Sequence, residues 1–184
     1  MAISFSVVIS TLYISYNNPY LNKRFKETTE TTLKAPTGME HNSTNIRVGI
    51  INCAYQLISA NWLFGVGTGD SQDYLNKCYK DSKFSSLMYQ DSYNTHNAYL
   101  EIWSKNGVFS FILLIIILIM PLTISFKYDN IIYFSFLFIF CLTSLTESTL
   151  NSQKGVVFYS FFNSLLAFNM PYFKYYSKKI SGLN

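Results

Sequence analysis

With 184 residues, of which 49% are hydrophobic, 18% aromatic and only 13% charged, the chain carries about half the charge usual for a soluble globular domain. Its formal charge of +4 is not gathered into any basic tract, which excludes a nucleic-acid surface, and the aromatic-rich apolar composition points to lipid as the solvent. Three cysteines without a Cys-x-x-Cys pair, and two histidines, His41 and His96, far apart in the chain, give no zinc pattern, so neither a metal nor a cofactor is expected.

The first apolar run covers about residues 2–16. No Lys or Arg precedes it and no small-x-small site follows it, so it reads as a membrane helix and not as a signal peptide. Because it opens next to the initial Met, it reads as a clipped helix, and the chain is expected to be the C-terminal portion of a longer protein.

A long polar segment, about residues 17–97, follows. It mixes Lys23, Arg24, Lys26, Lys77, Lys80 and Lys83 with Glu27, Glu30, Glu40, Asp70, Asp73 and Asp81, and is close to neutral. Residues 28–45, rich in Thr, Ser, Asn, Pro and Gly, read as irregular loop. Over residues 47–63, Val48, Ile51, Tyr55 and Ile58 recur on a helical period and predict an amphipathic helix on the membrane surface. Cys53 and Cys78 lie in this segment and can pair if it faces an oxidising compartment, whereas Cys141 lies in an apolar run and cannot join them.

Three further runs, at about 108–126, 131–146 and 155–171, complete about four membrane helices. Only residues 108–126 approach the roughly 20 residues a span needs without help from polar flanks. Lys127 between the second and third runs, and Lys174, Lys178 and Lys179 after the fourth, place those ends in the cytoplasm and the long segment outside, with Lys154 as the one dissenting charge. The fold class is therefore all-α: one domain, 1–184, a polytopic membrane bundle with a long extracytoplasmic loop. Its apolar runs contain no charges, which argues against a transporter or channel.

Two stretches invite chemistry. Gly65-Val66-Gly67-Thr68-Gly69-Asp70 has the alternating glycines of a close backbone approach, either to a ligand or to a neighbouring helix, but lacks the Lys-Ser/Thr of a phosphate loop. Asn94-Thr95-His96-Asn97-Ala98-Tyr99-Leu100-Glu101-Ile102-Trp103 places an imidazole at the outer mouth of the longest apolar run. Continued as a helix, it sets His96, Leu100, Trp103 and Gly107 on one face, with His96 either a polar anchor or a base. Glu101 stands four residues before Lys105, the favourable order for a helical ion pair, and Asn97 either caps the helix, orients His96 or holds a sugar.

Taken in order, Arg47, then Trp62-Leu63-Phe64-Gly65-Val66-Gly67-Thr68-Gly69-Asp70, then His96-Asn97-Ala98-Tyr99-Leu100-Glu101 resembles the O-antigen ligase and polymerase superfamily. The family's ligase motif is His, then Asn, Ser or Gln, nine residues, and Gly-x-x-(Gly, Thr or Tyr). Here His96-Asn97 is followed by nine residues and Gly107-Val108-Phe109-Ser110, with Ser110 departing from the last position. Thr146-Glu147-Ser148 looks like the family's C-terminal signature, so the resemblance extends over essentially the whole chain. In the family, further membrane helices and another functional Arg precede the region that starts here, and no residue in 1–16 can stand for that Arg.

The resemblance implies an enzyme of the bacterial inner membrane, with its long loop facing the periplasm or exterior. It would transfer a glycan from an undecaprenyl-diphosphate donor to lipid A core or another polysaccharide without a metal. By the same resemblance, Arg47 is the candidate clamp for the diphosphate and His96 the candidate base for the acceptor hydroxyl, with Arg24 and Asn97 as substrate-binding candidates. A polysaccharide polymerase uses the same leaving group and is the alternative; an inactive truncated membrane fragment is the third reading.

Overall fold

The computed structural model describes residues 18–22, 34–37 and 42–168. The first apolar run, Arg24, His41, most of the loop expected at 28–45, and Lys174, Lys178 and Lys179 lie outside them. The described residues form helices α1 (Ser43–Ala60), α2 (Ser71–Asp81), α3 (Ser86–Gln90), α4 (Ala98–Lys127), α5 (Ile131–Thr146) and α6 (Gln153–Phe168), with a 3₁₀ turn at Thr149–Asn151. Among them there is no strand, only an isolated bridge between Thr37 and Phe84.

The first three helices form an outer layer. Asn42 starts α1 with a capping box: its Oδ1 accepts from the Thr44 and Asn45 amides, and Asn45 Oδ1 accepts from the Asn42 amide at 2.7 Å. The helix thus begins four residues before the expected Arg47, and Asn61 ends it ahead of the glycine turn. Of the apolar residues read on a helical period, Ile58 is buried, and the face packed inward holds further residues. Ile50, Cys53, Ala54 and Leu57 are buried against Leu75, Tyr79 and Met88, while Ile51 and Tyr55 point outward. The Cys53–Cys78 disulfide, with Cα atoms 5.8 Å apart, joins α1 to α2 and fixes that choice of face.

Within the segment expected to hold one helix, α2 and α3 are additional. The sequence of α2, SQDYLNKCYKD, buries only Ser71, Leu75 and Tyr79 at a spacing of four, too thin a stripe to stand out among polar residues.

Helices α4, α5 and α6 form a second, apolar layer around Leu114, Leu118, Tyr133, Leu137, Phe140 and Tyr159. Of the described helices, only α4 is long and apolar enough to cross a membrane, and α5 is a shorter apolar helix. The helices match the predicted runs to within a few residues, except that α4 starts ten residues earlier, at Ala98.

Pro121 interrupts α4 without ending it. It has no N–H to give to the Ile117 carbonyl one turn back, and the Tyr159 hydroxyl of α6 donates to that carbonyl at 3.1 Å. Two further cross-helix bonds, from the Tyr133 hydroxyl to Asn163 Oδ1 at 2.7 Å and from the Tyr99 hydroxyl to the Cys141 carbonyl at 3.1 Å, fasten the layer. Such polar ties are worth about 0.6 to 2 kcal/mol each between apolar helices.

Candidate active site

The two layers meet at the start of α4, where Leu100 packs into the outer cluster and Tyr99 and Ile102 into the inner one. Residues 94–97 form a tight loop there. Asn94 Oδ1 accepts from the His96 amide at 2.9 Å, and His96 sits at φ 45, in the left-handed region. Asn97 is the N-cap of α4, its Oδ1 accepting from Tyr99 and Leu100 at 2.9 and 3.0 Å. His96 is consequently not on a helix at all, and the expected shared face with Leu100, Trp103 and Gly107 is not formed. The cap takes up Asn97 and turns the chain just before it.

What the loop reaches instead is the outer end of α5. Asn97 Nδ2 donates to the Leu145 carbonyl at 3.0 Å, so both ends of its amide are engaged. His96 Nδ1 lies 3.5 Å from Glu147 Oε2, and Arg47 approaches the other carboxylate oxygen at 3.8 Å and the Thr146 carbonyl at 3.4 Å. Arg47 and His96, 49 positions apart by their numbers, therefore converge on one carboxylate. All three side chains stay open to water, at 46% (Arg47), 32% (His96) and 58% (Glu147) exposure. An ion pair so exposed contributes only about 0 to 1 kcal/mol, so the cluster is not what holds the fold together.

Directly behind it lies a buried network. Glu101, 3% exposed, accepts the Thr95 amide at 3.2 Å and the Thr95 hydroxyl at 2.5 Å on Oε2, while Oε1 pairs with Lys105 Nζ at 2.5 Å. Lys105 also donates to Asn151 Oδ1 at 2.8 Å. The i,i+4 pairing expected from the sequence is formed, with Glu101 buried and Lys105 partly exposed. The nearby Tyr79 phenol, which donates to the Tyr93 carbonyl, is pushed well above its ordinary pKa by burial and then by the Glu101 carboxylate.

The glycine motif braces α4 from outside. Gly65 (φ 67) and Gly107 (φ 78) adopt left-handed backbone where the 61–67 turn crosses α4, and Gly107 breaks the helix at that point. A Cβ on Gly65 would overlap the Lys105 carbonyl group, and one on Gly107 would overlap that of Leu63. Main-chain bonds cross in both directions: Val66 and Gly67 donate to Ser104 and Lys105 at 3.0 and 2.8 Å, and Val108 donates to Trp62 at 2.9 Å. Close packing against a helix, one of the two readings of this motif, is formed at Gly65, while Gly67 and Gly69 face open space.

Arg24 lies outside the described residues, so the cluster contains Arg47, His96 and Asn97 of the four candidates. Sequence reasoning read Lys105 only as an ion-pair partner and Glu147 only as part of a signature, and gave Thr95 no role. The Glu101–Lys105 spacing was visible, but the burial of Glu101 depends on the turn that Asn97 and Gly107 impose.

No curated protein and no solved structure matches the chain. A family model described as O-antigen ligase matches residues 1–115, a stretch that holds the Arg47, Gly65–Gly69 and His96 to Gly107 elements and stops short of Glu147. Covering well over half of the chain, and coinciding with a site assembled from those same elements, the match establishes that the chain belongs to the O-antigen ligase family.

Proposed function

We propose that this protein acts in cell-surface polysaccharide assembly as a metal-independent glycan transferase. It takes a glycan from an undecaprenyl-diphosphate donor and passes it to a hydroxyl of lipid A core or of another polysaccharide. The observation that carries the reading is the convergence of Arg47 and His96 on the exposed Glu147 carboxylate. In the step proposed, an acceptor oxygen bonds to the anomeric carbon while the bond from that carbon to the diphosphate breaks. The acceptor proton passes to His96, and Arg47 stabilises the departing diphosphate anion.

The local chemistry suits these roles. The Arg47–Glu147 contact is long and solvated, so a diphosphate with more charge and a matching fork of oxygens can replace the carboxylate at little cost. Glu147 faces Nδ1 of His96 and steadies the ring, leaving Nε2 as the nitrogen that takes the proton. Asn97 then serves by holding the loop on α5, and a sugar contact would require it to leave its cap. Arg24 is retained as a second cation for the donor. We place α4, α5, α6 and the first apolar run across the inner membrane, with the site on the outer face; the disulfide-forming cysteines of the outer layer suit that side.

The test is glycan transfer by the full-length protein in membranes, comparing wild type with His96→Ala and Arg47→Ala at matched expression. Loss of about 100-fold or more in both is expected from removing a base or a charge clamp. Undiminished transfer in both variants would remove the site. A ligase product carries the glycan on lipid A core and a polymerase product is a lengthened glycan, so the acceptor separates the two family activities.

A further inference from the structure

We infer that the Glu101–Lys105 pair is a positioning device that holds the two halves of the site in register, an inference that rests on the reading of His96 as the base. One half is the 94–97 loop, and the other is the joint after α5 that carries Glu147. Both halves lie at helix ends, Asn97 as the N-cap of α4 and Glu147 as the C-cap of α5, and His96 stands outside either helix. His96 has a left-handed backbone that a non-glycine residue seldom adopts, and such a conformation persists only where its surroundings fix it.

Glu101 and Lys105 supply that fixing from the first two turns of α4. Through Oε2, Glu101 grips both the amide and the hydroxyl of Thr95, the residue immediately before His96. Through Oε1 it holds Lys105, whose ammonium reaches on to Asn151 in the joint that follows Glu147. Thr95 closes the circuit, its Oγ1 lying 3.4 Å from Ser148 Oγ, next to Glu147. One ion pair is thus tied to the neighbours of both His96 and Glu147 while touching neither.

The geometry also explains why the pair is ionic. A carboxylate here accepts three hydrogen bonds at once, and an ammonium donates in two directions. Removing Lys105 leaves the buried Glu101 carboxylate without its counter-charge. The Lys105 carbonyl accepts the Gly67 amide, so the same residue is anchored on its main chain by the glycine turn while its side chain reaches the joint.

The experiment uses the full-length protein in membranes and compares Glu101→Gln, Lys105→Met, Lys105→Arg and the double variant Glu101→Gln/Lys105→Met. Two readouts are taken. The first is transfer kinetics with an undecaprenyl-diphosphate-linked glycan. The second, which does not depend on turnover, is the rate at which diethyl pyrocarbonate modifies His96, measured by mass spectrometry against His41 as the internal reference.

Positioning predicts that the single variants lose about 100-fold in kcat, the cost of displacing a reacting group by about 1 Å, with KM for the donor little changed. The double variant should be no worse than the worse single one, and Lys105→Arg should recover part of the loss. The modification rate of His96 should change in the damaged variants and return toward wild type in Lys105→Arg. Unchanged kcat and unchanged His96 modification in the single variants, at normal folded yield, would overturn the inference while leaving the base assignment intact if His96→Ala is inactive. If His96→Ala is active, the base assignment falls, and the modification rates still decide whether the pair sets the loop.

Discussion

At the scale of single residues, the proposed site divides into groups that would touch the reacting region and groups that would hold them there. In the proposed step Arg47 is a clamp because its planar fork matches two phosphate oxygens, whereas Lys offers only a point charge. Arg47→Lys should therefore remain well below wild type in transfer, while protein yield and melting temperature stay level, since the exposed Arg47–Glu147 pair contributes little to stability. Asn97 divides in the opposite way. Asn97→Ala should lower stability by about 1 kcal/mol through loss of the cap, read as a lower melting midpoint in detergent. Asn97→Asp keeps the capping oxygen but loses the donor to Leu145, so it should restore the midpoint and leave transfer impaired.

At the scale of elements, two joints are held by geometry that a substitution test can reach. Gly107→Ala forces a Cβ onto the Leu63 carbonyl in a left-handed conformation and should cost about 2 kcal/mol or more, with Gly65→Ala similar. Because both changes push apart the same crossing, the double variant should fall short of the sum of the singles in thermal unfolding. The Cys53–Cys78 bridge closes a loop of separation 25 and stabilises the outer layer by roughly 3 kcal/mol on chain-entropy grounds. Reduction, or Cys53→Ala with Cys78→Ala, should loosen α1 against α2 and with it the seat of Arg47, seen as faster proteolysis of residues 43–81 while α4 to α6 remain protected.

For the whole molecule, the apolar layer was legible in the sequence and the outer layer only partly so. Composition selected α4, α5 and α6, because uninterrupted runs of Ile, Leu and Phe form apolar helices. The order of Arg47, the glycine motif and His96-Asn97 gave the family and three members of the site. Three features were not legible. Helix α2 rests on a stripe of Ser71, Leu75 and Tyr79 that makes sense only beside the disulfide. The packed face of α1 was not singled out, because Ile51 and Tyr55 are as apolar as the residues that pack. The burial of Glu101 follows from a turn at His96 and a break at Gly107, neither of which has a periodicity to announce it. The orientation proposed above has its own check. A single cysteine at Ser92 should react with an impermeant maleimide from outside, and one at Asp129, in the turn between α4 and α5, only after permeabilisation; the reverse pattern would invert the molecule.

The hydroxyl of Tyr159 has a consequence for how the protein is made. Pro121 leaves the Ile117 carbonyl open in the middle of an apolar helix, and the group that closes it comes 42 positions later in the chain. An open carbonyl in hydrocarbon costs several kcal/mol. On the membrane placement proposed above, α4 is expected to stay beside the insertion machinery or a neighbouring helix until α6 emerges. Ribosome-arrested chains ending before Tyr159 should keep α4 crosslinked to the insertion channel, and Pro121→Ala, which restores the missing N–H, should let it leave early.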